Sequence, residues 1–161
     1  KGLQIVDANA KEMFEGTCGK SMLDSPSQRT QIVSRMKNWR AFSDSSPADG
    51  IEVAIRNYWS ADKRISIYVL GDEFTGESIQ GALDAVDRIN RPDAGGRRRV
   101  RIHAIGFPVG GGMTPFTNIR FSALMRAMCE RNDGTFVGLT NVKTCAATVE
   151  IMGTRQCMGG D

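Results

Sequence analysis

The segment Arg64-Ile-Ser-Ile-Tyr-Val-Leu-Gly-Asp-Glu-Phe-Thr-Gly76 joins an apolar run, Ile65 to Leu70, to an acidic turn that contains glycine. A nearly continuous apolar run is typical of a parallel strand that is covered on both faces. The residues that follow, Ile79 to Ile89, repeat apolar side chains at helical spacing. Asp72 therefore stands at the carboxyl end of a predicted strand, which is where ligands bind in open parallel α/β sheets.

The same alternation of helix and strand patterns continues on both sides of this segment. Apolar spacing predicts helices over 51–59, 79–89 and 121–128 and strands over 65–70, 99–106 and 135–139. Connections of this kind give parallel strands with right-handed crossovers. The predicted fold class is α/β, with three layers and a doubly wound, mostly parallel sheet.

The amino-terminal third carries a different pattern. Two short strand patterns, Leu3 to Asp7 and Lys11 to Phe14, predict an antiparallel hairpin at the edge of the sheet. Glu15 to Asp24 is interpreted as a loop. Ser25 and Pro26 supply an N-cap and a proline at the first helical position, so a helix is predicted to begin there. Its apolar stripe consists of Ile32, Val33, Met36 and Trp39.

Composition limits the classes of function. The chain has 161 residues, of which 40% are hydrophobic and 24% charged, and this fits one globular core. We expect one domain over 1–140 and an irregular tail over 141–161, and the start at Lys1 in strand-like sequence predicts a segment of a longer polypeptide. No run approaches the roughly 18 apolar residues that cross a bilayer, so membrane insertion is not expected.

The net charge of +3 is concentrated in one cluster, Arg97 to Arg101. A single cluster gives little long-range attraction to a polyanion, so a nucleic-acid partner is not expected. The cluster is interpreted as a solvated loop before a strand, with binding of phosphate or of an acidic partner as the alternative.

The cysteines and the single histidine do not form a recognisable catalytic or metal motif. There is no Cys-x-x-Cys spacing, which argues against structural zinc. Cys145 and Cys157 are candidates for a disulfide in the tail, in an oxidising compartment. Cys129 lies on the apolar face of a predicted helix, where a buried thiol is expected and a nucleophilic thiolate is disfavoured. His103 is accordingly interpreted as a structural residue of its strand.

Three segments resemble the von Willebrand factor type A domain, also called the integrin I-like domain. Ile65 to Asp72 is similar to the family's strand that ends in aspartate, and Val100 to Phe107 is similar to the next strand, which ends in Ile-Gly. Leu124 to Phe136 is similar to the last helix, glycine turn and closing strand. The resemblance spans roughly Leu3 to Leu139, and it implies a non-enzymatic domain that binds a partner protein.

The resemblance also implies a site for a cation of the magnesium type at the carboxyl edge of the sheet. In the family this site uses an Asp-x-Ser-x-Ser run after the first strand, a loop threonine and an aspartate after the fourth strand. Asp72 matches the last element, and the threonine position falls on or beside Asp49, which offers a hard oxygen. The Asp-x-Ser-x-Ser run is absent, so Leu3 to Phe14 is aligned with the second and third strands. The family's central first strand would then lie upstream of Lys1, leaving strand edges without partners.

The predicted function is docking of a partner protein, as part of a larger assembly or of an extracytoplasmic or secreted polypeptide. The predicted docking rim consists of Asp49, Asp72, Glu73, Gly110 and Gly111, with Asp72 and Asp49 as the metal ligands. Magnesium binding by this segment alone is expected to be weak or lost.

Purely structural roles are alternatives for the same residues. Asp72 would also serve as a turn-capping carboxylate, Asp49 as a helix N-cap and Glu73 as a solvated side chain. A flavodoxin-like or nucleotide-binding α/β enzyme is the alternative function, although the glycines from 106 to 112 lack phosphate-loop spacing. A purely structural subunit without a site is a third.

Overall fold

Four helices and five strands make up the part of the chain that the computed structural model describes, which is residues 2–3, 22–38, 46–108 and 116–139. In chain order they are β1 (Gly2–Leu3), β2 (Met22–Leu23), α1 (Pro26–Lys37), α2 (Pro47–Tyr58), β3 (Ile65–Gly71), α3 (Ile79–Ile89), β4 (Val100–Gly106), α4 (Phe116–Arg131) and β5 (Phe136–Gly138).

The main sheet has three parallel strands in the order β3-β4-β5. Ile65 lies opposite Val100 at the start of the register, and Ala104 lies opposite Phe136. The connections α3 and α4 each join one strand to its neighbour, as the alternating pattern predicts. The α/β class and the parallel sheet are therefore confirmed for the described residues.

The hydrophobic core lies on one face of this sheet. Side chains of β3 and β4 that point to this face alternate along each strand and pack against α2, α3 and α4. Its buried members include Ile51, Ile55, Leu83, Val86, Val100, Ile102, Phe121, Leu124, Met125 and Met128. Helices α3 and α4 share this face because successive right-handed crossovers to the next strand in one direction place their helices on the same side. Helix α2, which precedes β3, packs against α3 and β3 on this face.

The opposite face of the sheet is open in the described residues. Tyr68 and Leu70 on β3 are 65% and 55% exposed, and Val137 on β5 is 49% exposed. The prediction that Ile65 to Leu70 is covered on both faces is therefore wrong for this part of the chain. Helices α2, α3 and α4 form one layer over one sheet face, and the predicted third layer is not seen among the described residues.

The amino-terminal segment contains a strand pair that the sequence does not predict. β1 pairs with β2 in antiparallel register, with Leu3 opposite Met22, in a sheet separate from the main one. The interpretation of Glu15 to Asp24 as a loop is thus wrong at Met22–Leu23. The second predicted hairpin strand, Lys11 to Phe14, lies outside the described residues, as do the predicted tail and its candidate disulfide between Cys145 and Cys157.

Helix α1 begins as predicted. The Ser25 Oγ accepts a hydrogen bond of 3.2 Å from the backbone N–H of Gln28, and Pro26 is the first helical residue. No residue of α1 is buried, and Met36 is half exposed. The described residues of its predicted apolar stripe, Ile32, Val33 and Met36, are therefore not packed into the core that α2, α3 and α4 share.

Candidate functional site

The carboxyl edge of the main sheet is the place where the sequence predicts a ligand site. Asp72 follows the last residue of β3, as predicted, and its side chain is exposed. It makes no hydrogen bond or ion pair with another described side chain. The carboxylate is therefore available to a ligand at this edge, and a turn-capping bond to a described backbone N–H is not formed.

Asn118, in the first turn of α4, ties the ends of two strands together. Its Nδ2 donates hydrogen bonds to the carbonyl oxygens of Asp72 and Phe107, at 2.7 and 3.0 Å. The backbone N–H of Phe107 donates in turn to the Gly71 carbonyl at 2.9 Å. One side-chain amide thereby fixes the backbone from which the Asp72 carboxylate projects.

The β3–α3 loop, residues 72–78, is fastened to α4 by a second set of contacts. Phe74 is buried, and its backbone N–H donates to the Thr117 carbonyl at 3.1 Å. The guanidinium of Arg120 lies 5.1 Å from the centre of the Phe74 ring and donates hydrogen bonds to the carbonyls of Gly76 and Glu77. A Cβ on Gly76 would lie 2.5 Å from this ring, so glycine permits the close packing.

These contacts make the loop an ordered part of the carboxyl edge. Phe74 supplies the apolar anchor, and Asn118 and Arg120 satisfy carbonyl groups that a free loop would leave to water. An ordered loop reduces the conformational entropy lost when a partner binds.

Asp49 lies in the first turn of α2, where a carboxylate interacts favourably with the positive end of the helix dipole. The N-cap position is held by Ser46, so the N-cap interpretation of Asp49 is wrong. Trp59 at the other end of α2 lies beneath the Arg99 guanidinium, 4.7 Å from its ring centre, near the start of β4. Because the Trp59 end of α2 lies near the start of β4, the Asp49 end of the helix is directed toward the carboxyl edge. The Asp49 side chain is exposed and forms no hydrogen bond or ion pair with a described residue.

Glu73 is half-buried beside Asp72 and has no described partner, whereas Gly110 and Gly111 lie outside the described residues. A magnesium ion takes oxygen ligands in near-octahedral geometry. Within residues 2–3, 22–38, 46–108 and 116–139, no group of three or more Asp, Glu, His or Cys side chains is placed to hold a metal. Asp49 and Asp72, on separate elements, do not by themselves make such a site.

Two functional candidates were not found by sequence reasoning. Phe116 and Ile119, in the first turns of α4, are 73% and 54% exposed, and the Arg120 guanidinium that binds the β3–α3 loop lies 5.9 Å from the Phe116 ring centre. The core stripe of the same helix, which includes Phe121 and Leu124, points the opposite way. The signal available in the sequence was the position of two large apolar residues off that stripe.

The arginine cluster is at the amino edge of the sheet, away from the Asp72 edge. Arg98 Nη1 donates to the Asn90 carbonyl at 2.9 Å, and Arg99 Nη1 donates to the Ile89 carbonyl at 3.1 Å. Both bonds satisfy carbonyls at the end of α3, where cations also interact favourably with the helix dipole. Arg98 further pairs with Asp87 at 3.1 Å. These two arginines therefore have structural roles.

His103 and Cys129 also have structural surroundings. The His103 ring stacks on Tyr68, with 5.0 Å between ring centres, and its Nδ1 accepts a hydrogen bond of 3.1 Å from the Thr135 N–H. Cys129 is buried, as predicted, and burial raises the pKa of its thiol to about 11. A thiol with so high a pKa is a poor nucleophile at neutral pH.

Comparison with protein-family models, curated proteins and solved structures finds no match to this chain. The resemblance to the von Willebrand factor A domain therefore stays a prediction. In the described part of the chain, none of the helices has the length and apolar character needed to span a membrane.

Proposed function

We propose that the chain is a non-enzymatic docking domain of von Willebrand factor A type, with a Rossmann-like parallel sheet. Its carboxyl edge would contact a partner protein through Asp72, Glu73 and the β3–α3 loop. Asp49, Gly110 and Gly111 complete the proposed rim on the basis of the resemblance. Phe116 and Ile119 add apolar contact area to it.

The observation that carries the proposal is the unpartnered Asp72 carboxylate on a fastened backbone. Asn118 holds the Asp72 carbonyl at 2.7 Å, while the carboxylate itself is exposed and makes no bond within the described residues. A charged group held in place by its backbone loses little freedom on binding. Exposed aromatic and aliphatic side chains beside it are typical of protein-binding surfaces.

Magnesium has a secondary place in this proposal. Asp72 and Asp49 would be its ligands on this chain, and two exposed carboxylates leave most of the cation's coordination positions to water or to other ligands. We therefore propose weak magnesium binding or none by this chain alone, with a partner carboxylate completing the shell where the ion is present.

The proposal is tested by partner capture with immobilised chain, using mass spectrometry to quantify each captured protein. Asp72→Ala is expected to reduce capture of the specific partner at least about tenfold, which corresponds to about 1.4 kcal/mol. Asp84→Ala, which removes an exposed carboxylate from α3, is the matched control and should leave capture unchanged. Each protein is assayed in two arms, one with magnesium and one with a chelator.

Equal capture by the wild-type chain and Asp72→Ala, in both arms, would show that the rim is the wrong surface. A flavin or nucleotide that copurifies in stoichiometric amount would contradict the non-enzymatic proposal and favour the flavodoxin-like alternative. A loss of capture in chelator alone would identify the ion as essential to docking.

A further inference from the structure

The open face of the main sheet is a second surface, separate from the carboxyl edge. Its strand positions alternate with those of the core face and consist of Ser66, Tyr68, Leu70, Arg101, His103, Ile105 and Val137. Parallel sheets normally have helices on both faces, because their strands are apolar on both sides. Among the described residues, helices cover the core face alone.

The chemistry of this face changes along the strands. Leu70, Ile105 and Val137 lie toward the carboxyl end, and the stacked Tyr68 and His103 rings lie in the middle. Arg101 lies toward the amino end, opposite Ser66 in the register. The face thus presents an aliphatic half and a polar, basic half.

The two arginines of the basic half form no ion pair within the described residues. Arg101 is exposed and makes no ion pair or hydrogen bond with any of them, and the same holds for Arg64, directly before β3. None of the seven strand positions on this face is Asp or Glu. An occupant that matches the face must therefore supply both apolar side chains and carboxylates.

We propose that the open face docks an acidic amphipathic α-helix from a partner protein, with its apolar stripe on Leu70, Ile105 and Val137. Carboxylates near one end of that helix pair with Arg101 and Arg64. The site is distinct from the rim of the proposed function, and the two are tested by different variants.

The size of the face fixes the size of the occupant. β3 has seven residues, and a strand of that length spans about 23 Å at 3.3 Å per residue. A helix covers the same distance in about 15 residues, or four turns. An amphipathic helix of this length presents apolar side chains at i, i+3, i+4 and i+7 to the aliphatic half.

Other occupants fit the face less well. A second copy that stacked face to face would bring no carboxylate from its own strand positions to Arg101. Single-stranded nucleic acid would use the Tyr68 and His103 rings and the arginines but would leave the three aliphatic side chains without apolar partners.

The test uses two designed 18-residue helical peptides and the whole chain, with binding followed by fluorescence anisotropy. Both carry leucine at the four stripe positions and alanine or glutamine elsewhere, except for two residues near one end that are glutamate in one peptide and lysine in the other. The glutamate peptide is expected to bind at least about tenfold more tightly than the lysine peptide. Arg101→Glu should reverse this preference.

Leu70→Asp should weaken binding of the glutamate peptide at least about tenfold. Ile119→Asp is the matched control: Ile119 and Leu70 are 54% and 55% exposed, and Ile119 lies on α4, outside the open face. Circular dichroism melts establish that each variant is folded, and Arg101→Glu, at an exposed position, carries the test if Leu70→Asp does not fold.

Four binding results would overturn the proposal. The first two are no binding of either peptide and equal binding of both. The third is loss of glutamate-peptide binding in Ile119→Asp with retention in Leu70→Asp. The fourth is binding of an oligothymidylate more tightly than the glutamate peptide, with loss of that binding in Arg101→Glu. Sedimentation of the chain as a dimer that Leu70→Asp dissociates would assign the face to a second copy and would also overturn it.

Discussion

Two buried asparagines hold the amino edge of the sheet together. Asn90, after α3, donates from Nδ2 to the Val100 carbonyl at 2.9 Å and to the Asn132 Oδ1 at 2.7 Å. Its own Oδ1 accepts from the Val100 N–H at 2.9 Å. Asn132, after α4, donates to the Met128 carbonyl at 2.7 Å. Both side chains are fully buried, so these bonds replace water that cannot reach the groups.

Asn90→Ala is expected to destabilise the chain by about 2–4 kcal/mol, because it leaves the buried N–H and carbonyl of Val100 without their side-chain partner. Urea denaturation followed by circular dichroism measures the change. Asn57→Ala, at an exposed position of α2, is the control and should change stability by less than about 0.5 kcal/mol. Equal effects of the two substitutions would show that the buried network does not stabilise the fold.

Gly134 is required by a close approach to β4. A Cβ at this position would lie 1.7 Å from the Ile102 carbonyl oxygen. The left-handed residue that ends α4 is Asp133, with φ of 55°, and the Gly134 N–H donates to the Cys129 carbonyl at 2.9 Å. The resemblance over Leu124 to Phe136 includes a glycine turn at this place. The glycine itself is needed for contact with β4, whereas the left-handed conformation belongs to its neighbour.

Gly134→Ala should therefore destabilise the chain by at least about 2–3 kcal/mol, since the backbone of α4 or β4 must move. Gly81→Ala, inside α3, has its nearest atom at 3.4 Å and a helical backbone. It should stabilise the chain by about 0.5–1 kcal/mol through reduced freedom of the unfolded state. Thermal melts of both variants test the pair, and a neutral Gly134→Ala would contradict the close packing.

Local signals in the sequence predicted individual residues well where the cause is local. Ser25 with Pro26 marks a helix start, and Cys129 lies on an apolar stripe, so its burial followed from spacing alone. The alternative role of Asp49 as an N-cap was wrong because Asp favours both the N-cap and the first turn, and Ser46, three residues earlier, occupies the N-cap position. The roles of Asn118 and Arg120 depend on contacts more than 40 residues away along the chain, which periodicity does not reveal.

At the scale of elements, the alternation of helix and strand was predictable and the coverage of the strands was not. The run from Ile65 to Leu70 is apolar on both of its faces, which is the pattern of a doubly covered strand. The crossovers through α3 and α4 nevertheless place both helices over the same face. The pairing of Leu3 with Met22 is likewise non-local, and a strand of two residues gives no periodic signal.

Fastening of the β3–α3 loop to α4 leads to a prediction for Asn118→Ala. Loss of the bonds to Asp72 and Phe107 should speed hydrogen exchange of the Phe74 amide, which bonds to Thr117, at least about tenfold. Exchange of the Ile102 amide, which bonds to the Asn132 carbonyl in the core, should stay unchanged.

Arg126→Ala is the control for this experiment because it lies on the same helix, with its guanidinium 5.5 Å from the Phe136 ring centre. It should leave Phe74 exchange at the wild-type rate. If Asn118→Ala also left the exchange rate of the Phe74 amide unchanged, the loop would be held by its own residues. The Asn118 hydrogen bonds would then not stabilise the loop.

For the whole molecule, the α/β class followed from the order of patterns, because parallel strands need helical connections. The candidate site could not be predicted from the sequence patterns with the same certainty. One carboxylate at a strand end is common to many α/β proteins, and the features that distinguish this edge are the hydrogen bonds of Asn118, the buried Phe74 and the exposed Phe116. These arise from the packing of α4 against the β3–α3 loop.

The most direct test of the proposed docking edge is photo-crosslinking with p-benzoylphenylalanine at position 75, in the exposed part of the β3–α3 loop, and at position 84, on the exposed side of α3. The account predicts a covalent adduct with the partner protein from position 75 and none from position 84. An adduct from position 84 with none from position 75 would contradict docking at the carboxyl edge.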